Sequence, residues 1–371
     1  MGSKPQITNE PSEELLRAWF APVLRQGTRW CARNLQTECA FLKVENWEFP
    51  LTINDAEWDN SWICSPYTHY VSYAREEVRR AMPTAIGVPF SLLLLGLGTW
   101  FRAAQLNQVI MVNNWLMSTN PWPPWEGASL REALVAMRQR WPGHAVIFRS
   151  LNERESAPLL RALKDAGARI IPSRQIWYYD GDSALVLASR DFRKDVNLLR
   201  RGDLQRVVHE QLCDADFSRI AELYAQLYID KYSRCNPCYT VEWLRYLWKG
   251  RHLQFTALRD NAGVIVGVEA CGLIHGVMVS PVVGYDINRP RSMALYRRLA
   301  AVPVLSARER GVPLNLSAGV GRFKALRGGE PVMEFIAVID AHLPLKRRLP
   351  WSVIEGLSRG VLEPVVRRMK L

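Results

Sequence analysis

The stretch Leu314–Pro331, LNLSAGVGRFKALRGGEP, sets the cations Arg322, Lys324 and Arg327 among the glycines Gly319, Gly321, Gly328 and Gly329. Glycine frees the backbone to turn and to approach closely, so amides and cations there could close on a phosphate or an ester oxygen. Acyl transfer to an amine passes through a tetrahedral oxyanion, which a Lys or Arg stabilises where water is excluded. The other reading of this stretch is a basic hairpin loop on the surface. Two further segments carry groups for an acceptor. LYIDKYSRCNPCYT places Tyr228, Lys231, Tyr232 and Ser233 at the end of a helix. Tyr232 or Lys231 could orient a substrate carboxylate, or the tyrosines are core and the lysine is a partner of the helix C-terminus. GYDINRPRSM offers Tyr285 and Asp286 after a strand. Asp286 could take a proton from an amine or pin an ammonium, or it is a turn residue.

Other chemistries find little support. Cys235 and Cys238 form a lone C-x-x-C with no second pair, and the six histidines, His69, His144, His209, His252, His275 and His342, have no metal-ligand spacing, so no metal site is expected. No Walker loop, nucleophile elbow or dinucleotide fingerprint is present. Trp115, Trp122 and Trp125 in NNWLMSTNPWPPW could stack on bases, or they close a seam between domains.

The elements that must hold these groups follow an α/β pattern. With 48% hydrophobic and 23% charged residues, the 371-residue chain has a globular composition and enough length for two domains. Its net charge of +12 attracts polyanions such as nucleic acid, anionic lipid or phosphorylated ligands. The seven cysteines are odd in number and irregularly spaced, and no secretory signal opens the chain, so a reducing cytoplasm is expected. The apolar run from Ala85 to Trp100 is shorter than the roughly 20 residues of a bilayer span. It is expected to be core rather than an integral membrane segment, with an interfacial membrane contact as the alternative. From Phe41 onward, alternating strand and helix patterns continue to about Asp180. The charged segment Ser189–Val207 breaks the alternation, which places a domain junction near residue 185: an N-terminal domain over residues 1–185 and a C-terminal domain over 186–371. The second series runs through two helices, an antiparallel set of strands, a long helix from Pro290, the strand at Val312, the cationic loop and a last strand.

This order of elements resembles the GNAT acyltransferase domain, and a looser version of it in the first half suggests a tandem repeat. With the pair Phe323-Lys324 in the glycine-bearing loop, the chain resembles the aminoacyl-tRNA-dependent transferases of the Fem family. Through NNWLMSTNPWPPW, FRSLN, IPSRQIWYYD and DKYSRCNP it also resembles the seryl-tRNA-dependent transferases of valanimycin-type natural-product pathways. The resemblance implies two GNAT-like domains around a central groove and an aminoacyl-tRNA donor, with no metal or redox cofactor. The acceptor would be an amine or hydroxylamine on a small molecule or peptide. It implies further that Lys324 stabilises the oxyanion or the terminal-adenosine ester, and that Arg322 and Arg327 bind phosphate, cradled by Gly321 and Gly328. Tyr232, Tyr285 and Asp286 would place the acceptor, with Lys231 and Ser317 on the substrate side. Where most CoA-dependent members hold the pyrophosphate on a glycine-rich loop, this chain has GYDINRPRSMALYRRL with Arg289 and Arg291. That departure leaves acyl-CoA or a carrier-protein thioester as the alternative donor, and a non-catalytic RNA-binding protein with a degenerate transferase fold as the third reading.

Overall fold

A computed structural model describes residues 4–81, 83–180 and 183–362. Its strands in chain order are β1 (Gln6–Thr8), β2 (Glu38–Val44), β3 (Trp47–Asn54), β4 (Val109–Val112), β5 (Ala145–Asn152) and β6 (Arg169–Tyr179). They continue as β7 (Gln205–Val208), β8 (Gln254–Arg259), β9 (Ile265–Ile274), β10 (Val277–Tyr285), β11 (Leu314–Asn315) and β12 (Glu330–Ile339). The chain forms two compact units, but not as two contiguous halves cut near residue 185. Of the described residues, the first takes those up to Ser173, the short segment Ser233–Cys238, and 334–362; the second takes Arg174–Tyr232 and Tyr239–Met333. The boundary therefore falls inside β6, and the C-x-x-C segment packs with the first unit.

Both units repeat one pairing scheme. In the first, β1, β2, β3 and β4 are antiparallel neighbours, β4 and β5 are parallel, and β12 lies antiparallel to β5. In the second, β7, β8, β9 and β10 are antiparallel neighbours, β10 and β11 are parallel, and β11 lies antiparallel to the end of β6. A helix joins each parallel pair, Leu130–Arg140 in the first unit and Leu295–Arg310 in the second, as a parallel connection requires. The sixth strand of each unit's scheme comes from the other half of the sequence.

In the first unit β4 and β5 are buried on both faces; accordingly β4 and the first half of β5, Ala145–Phe148, are continuous apolar runs. Ile110, Val112, Val146 and Phe148 face one cluster with Phe49, Trp122 and Trp125, while Val109, Met111, Ala145 and Ile147 face another with Tyr67, Phe101 and Trp351. Trp115 packs edge-on against Trp19, 5.6 Å between centroids. The three tryptophans read as a seam or a stacking platform are thus core of the first unit. Cys235 and Cys238 are free thiols, and among the described residues no cluster of metal-ligating groups exists.

Two further sequence expectations change. The run Ala85–Trp100 belongs to the helix Thr84–Ala103, which buries Gly87, Ser91 and Gly98 and exposes Val88, Phe90, Leu92, Leu93 and Leu95. Hydropathy gave the segment's content; the neighbours decided which face turned inward. The cationic loop contains a short helix, Gly321–Ala325, and the strand before it is only Leu314–Asn315. The charged segment after residue 189 includes the amphipathic helix Arg190–Leu199, which buries Phe192, Asp195 and Leu199.

In the second unit, Gly284 of β10 lets the helix Asp216–Ala225 lie directly on the strand. A Cβ at this position would stand 2.5 Å from the Tyr224 amide nitrogen and 2.6 Å from the Leu223 carbonyl carbon. Gly284→Ala is expected to lower stability by about 2–3 kcal/mol through this overpacking, read as a lower urea midpoint with an unchanged slope.

Candidate functional site

The site forms in the second unit, where β10 stops pairing with β11. The two strands run parallel but share only the pairs Met278 with Leu314 and Val279 with Asn315. Past them β10 bulges between Val279 and Val282, around Pro281, while remaining antiparallel to β9 as far as Tyr285. Because β11 ends at Asn315, β10 from Ser280 to Tyr285 has no ladder partner on that side among the described residues. Such an edge presents backbone donors and acceptors to whatever enters.

Aromatic rings collect beside this edge. The helix pressed onto Gly284 continues as a π-helical segment, Gln226–Tyr232, whose wider turn carries Tyr228 and Tyr232, 6.1 Å between centroids. Tyr285 at the end of β10 lies 6.1 Å from Tyr296 on the first turn of Leu295–Arg310, and Tyr296 lies 5.0 Å from Phe323. Burial raises the pKa of the Tyr296 hydroxyl, and Tyr228, Tyr232, Tyr179 and Tyr285 raise it further. The exposed Lys231 donates to the Tyr285 hydroxyl at 3.1 Å, and its Nζ lies 5.5 Å from the Tyr285 centroid and 5.8 Å from that of Tyr232. A place where an ammonium already rests on two ring faces suits a cationic amine. The sequence pointed to Lys231, Tyr232 and Tyr285; it missed Tyr296 and Tyr179, which look like ordinary core tyrosines until the helix and β6 bring them here.

Lys324 is where the structure departs most from expectation. It is 5% exposed, and its Nζ donates to the carbonyls of Leu316 at 2.7 Å, Ala318 at 2.9 Å and Ser317 at 3.2 Å. Ser317, Gly319 and Val320 have φ of 57°, 82° and 47°, the left-handed turns that let these carbonyls converge. Burial, and after it the charge of Arg174, brings the lysine pKa down to about 7, while the carbonyls favour the charged form. With its ammonium protons committed to the loop, Lys324 is an organiser of the site and not a free oxyanion donor in this conformation. Ser317 contributes its carbonyl to that knot, and its amide donates to Asn315 Oδ1 at 2.9 Å.

Other expected ligands are likewise taken up internally. Arg327 is buried, donating to Asp195 through Nε and to the Phe323 carbonyl through Nη1, so it is not a phosphate ligand. Asp195 also receives Arg297 at 2.6 Å. Asp286 is bound by Arg219 at 2.8 Å and by Arg289 at 3.4 Å, and its pKa lies below the ordinary value because the Asn288 amide and these arginines outweigh its burial. A carboxylate so held is a poor base for an amine. Arg289 itself pairs with Asp260 at 2.7 Å, which removes it from an anion site. Gly328 serves packing: at φ 84° a Cβ would stand 2.6 Å from the Val186 amide nitrogen. Gly321 is buried at the start of the short helix. Arg322 and Arg291 remain exposed and available to an anionic ligand.

Sequence reading also missed Glu269 on β9. It is fully buried, accepts from Ser280 Oγ at 2.9 Å at the bulge of β10, and leaves Oε2 without a partner. Burial pushes its pKa up to about 8, against the partial relief of Ser280 and Arg206. A half-buried serine on the open strand thus connects to a buried carboxyl that titrates near neutrality. In the first unit, a cavity of about 30 Å³ lined by Trp62, Tyr70, Arg149, Glu334 and Trp351 has room for about two waters.

No protein-family model matches the sequence, and no curated protein matches it. Solved structures to which the chain is similar include L-PGS from Bacillus licheniformis, with 15% identity, 62% of this chain and 77% of that chain covered, and a TM-score of 0.44. FemX gives 10% identity, 62% and 78% coverage, and a TM-score of 0.47. A tandem GNAT protein from the clavulanic acid biosynthesis pathway gives 11% identity, 87% coverage of both chains, and a TM-score of 0.43. These neighbours are GNAT-fold proteins, and at such identities they say nothing of donor or acceptor.

Replacing Lys324 by Met leaves three inward carbonyls without their donor. Amides of residues 316–320 are expected to exchange hydrogen about ten-fold faster in Lys324→Met, measured by mass spectrometry. Glu269 gives a second expectation. Below pH 4.5 both folded and unfolded chains hold its proton; between 4.5 and about 8 only the folded chain does, so the stability it contributes is lost as pH rises through that window. Glu269→Gln is expected to equal wild type near pH 4.5 and exceed it at pH 8.5 by on the order of 4 kcal/mol, read from denaturant unfolding at both pH values.

Proposed function

We propose that this protein is an acyltransferase that takes an aminoacyl group from tRNA and delivers it to an amine or hydroxylamine on a small molecule or peptide, in natural-product biosynthesis. The observation that carries the reading is the unpaired stretch of β10 beside a ring of tyrosines. The strand edge supplies amides for the oxyanion of an ester carbonyl. The faces of Tyr228, Tyr232 and Tyr285 receive the amine, with Tyr296 fixing Tyr285 from behind. In the reaction the bound ammonium first gives one proton, by way of Ser280, to the ionised form of Glu269, and the neutral amine nitrogen then bonds to the ester carbon. The tetrahedral oxyanion then collapses, the carbon–oxygen bond to the terminal ribose breaks, and the released ribose oxygen takes the further proton that the attacking nitrogen sheds.

The choice of tRNA as donor is supported by charge and by what is missing at the helix Leu295–Arg310. Its N-cap is Ala294 at φ 50°, preceded by Pro290, and Arg289 is already paired. A pyrophosphate cradle of glycines is not built there, which disfavours CoA. The net charge of +12, with Arg322 and Arg291 exposed, favours the long polyanion of a tRNA.

The test is transfer of radiolabel from a pool of charged tRNAs to hydroxylamine and simple amines. Label from one amino acid should move faster than uncatalysed aminolysis. Glu269→Gln is expected to lower kcat on the order of 100-fold, and Tyr232→Ala to raise the KM for the amine about ten-fold. Transfer from acyl-CoA or a carrier-protein thioester, but not from tRNA, would replace the donor. Binding of tRNA with no transfer to any amine would support the RNA-binding reading.

A further inference from the structure

The helix Thr84–Ala103 in the first unit packs in an unusual sense. Only its C-terminal end packs large side chains inward, with Phe101 buried and Leu97 and Trp100 against the same core; elsewhere the buried positions are small, Gly87, Ser91 and Gly98, and a Cβ at Gly98 would meet Val71 Cγ1 at 3.0 Å and the Tyr67 hydroxyl at 3.1 Å. Arg75 donates to Ser91 Oγ at 3.3 Å, so the buried side is also partly polar. Along residues 88–95 the large apolar side chains point outward, with Leu92 60% and Leu93 57% exposed, alongside Val88, Phe90 and Leu95. A helix that meets only water does the reverse. Contiguous apolar surface of this kind marks a contact with something.

Charge identifies the occupant. The helix Ala74–Ala81, packed against this one, exposes Arg79 and Arg80. The helix Leu345–Leu357 rests on the same core cluster through Trp351 and Ile354, and it exposes Leu345 and Leu349 beside Lys346. Apolar rows bordered by cations, on a chain of net charge +12, fit an anionic bilayer surface. They fit a second copy of the same chain poorly, since like charges would meet. No helix among the described residues is long and apolar enough to cross a membrane, so the contact is one of lying on the surface.

We propose that the helix Thr84–Ala103 is an interfacial anchor that seats its leucine face in an anionic lipid surface. This reading is independent of the acyl-transfer chemistry and holds whichever donor is used.

The experiment is flotation of the full-length protein with vesicles of phosphatidylglycerol and phosphatidylcholine, or of phosphatidylcholine alone. Wild type should partition into the anionic vesicles about ten-fold better than the double variant Leu92→Gln, Leu93→Gln, and less well as salt rises. Val135→Gln, an exposed apolar residue on the helix Leu130–Arg140, should behave as wild type. In wild type alone, bound anionic vesicles should slow hydrogen exchange across residues 84–103, a readout that needs no variant. The proposal is overturned if wild type and the double variant partition equally, if wild type ignores anionic vesicles, or if lipid-free wild type is a dimer that the double variant breaks.

Discussion

Two register pairs hold β10 to β11, and the site exists because there is no third. What stops the ladder is the conformation after Asn315: left-handed turns at Ser317, Gly319 and Val320 roll three carbonyls toward the Lys324 ammonium. A chain bent that way cannot continue as a strand. The knot is fixed from behind by Asp195, which is 1% exposed and joins the helix Arg190–Leu199 to Arg297 and Arg327. Breaking a buried pair by removing one partner leaves an uncompensated charge, so the frame of the opening is rigid for the reason that its ions are buried together. The cations that looked like ligands are the frame itself.

This division of labour changes how the basic character of the chain is to be understood. Arg298 is spent on Asp203, Arg289 on Asp260 and Asp286, and Arg327 on Asp195. None of these contributes much field to the solvent. The charge that a polyanion or a lipid surface meets is carried by exposed side chains such as Arg291, Arg322, Arg79 and Arg80. Buried arginines serve tertiary structure, and exposed ones such as Arg291 and Arg322 can present their fork to phosphate.

The α/β class and the doubled unit were legible in the sequence because strand and helix periods differ and each element is short. The tyrosines at the end of the helix from Asp216 and at the end of β10 were legible as candidates because both lie where an element stops. Glu269 was not, since a single acidic residue inside VIVGVEACG is invisible until Ser280 is seen to face it across the bulge. Lys324 was recognised but misjudged: its residue type announces a cation, while only coordinates show that its protons are already given away. The apolar run at residues 85–100 failed for a related reason. Hydropathy counts methyl groups and does not report which side of a helix has room for them.

The exchange of sixth strands has a consequence for biogenesis. When β5 leaves the ribosome, its partner β12 is still far down the message, so the outer edge of β5 stays bare while the whole second unit is being made. An apolar strand edge without a neighbour is the surface along which chains join incorrectly. The second unit carries no such delay, because β6 is already present when β11 arrives. The half of the protein translated first is therefore the half completed last, and a ribosome that stalls between the two strands releases a chain with an open sheet.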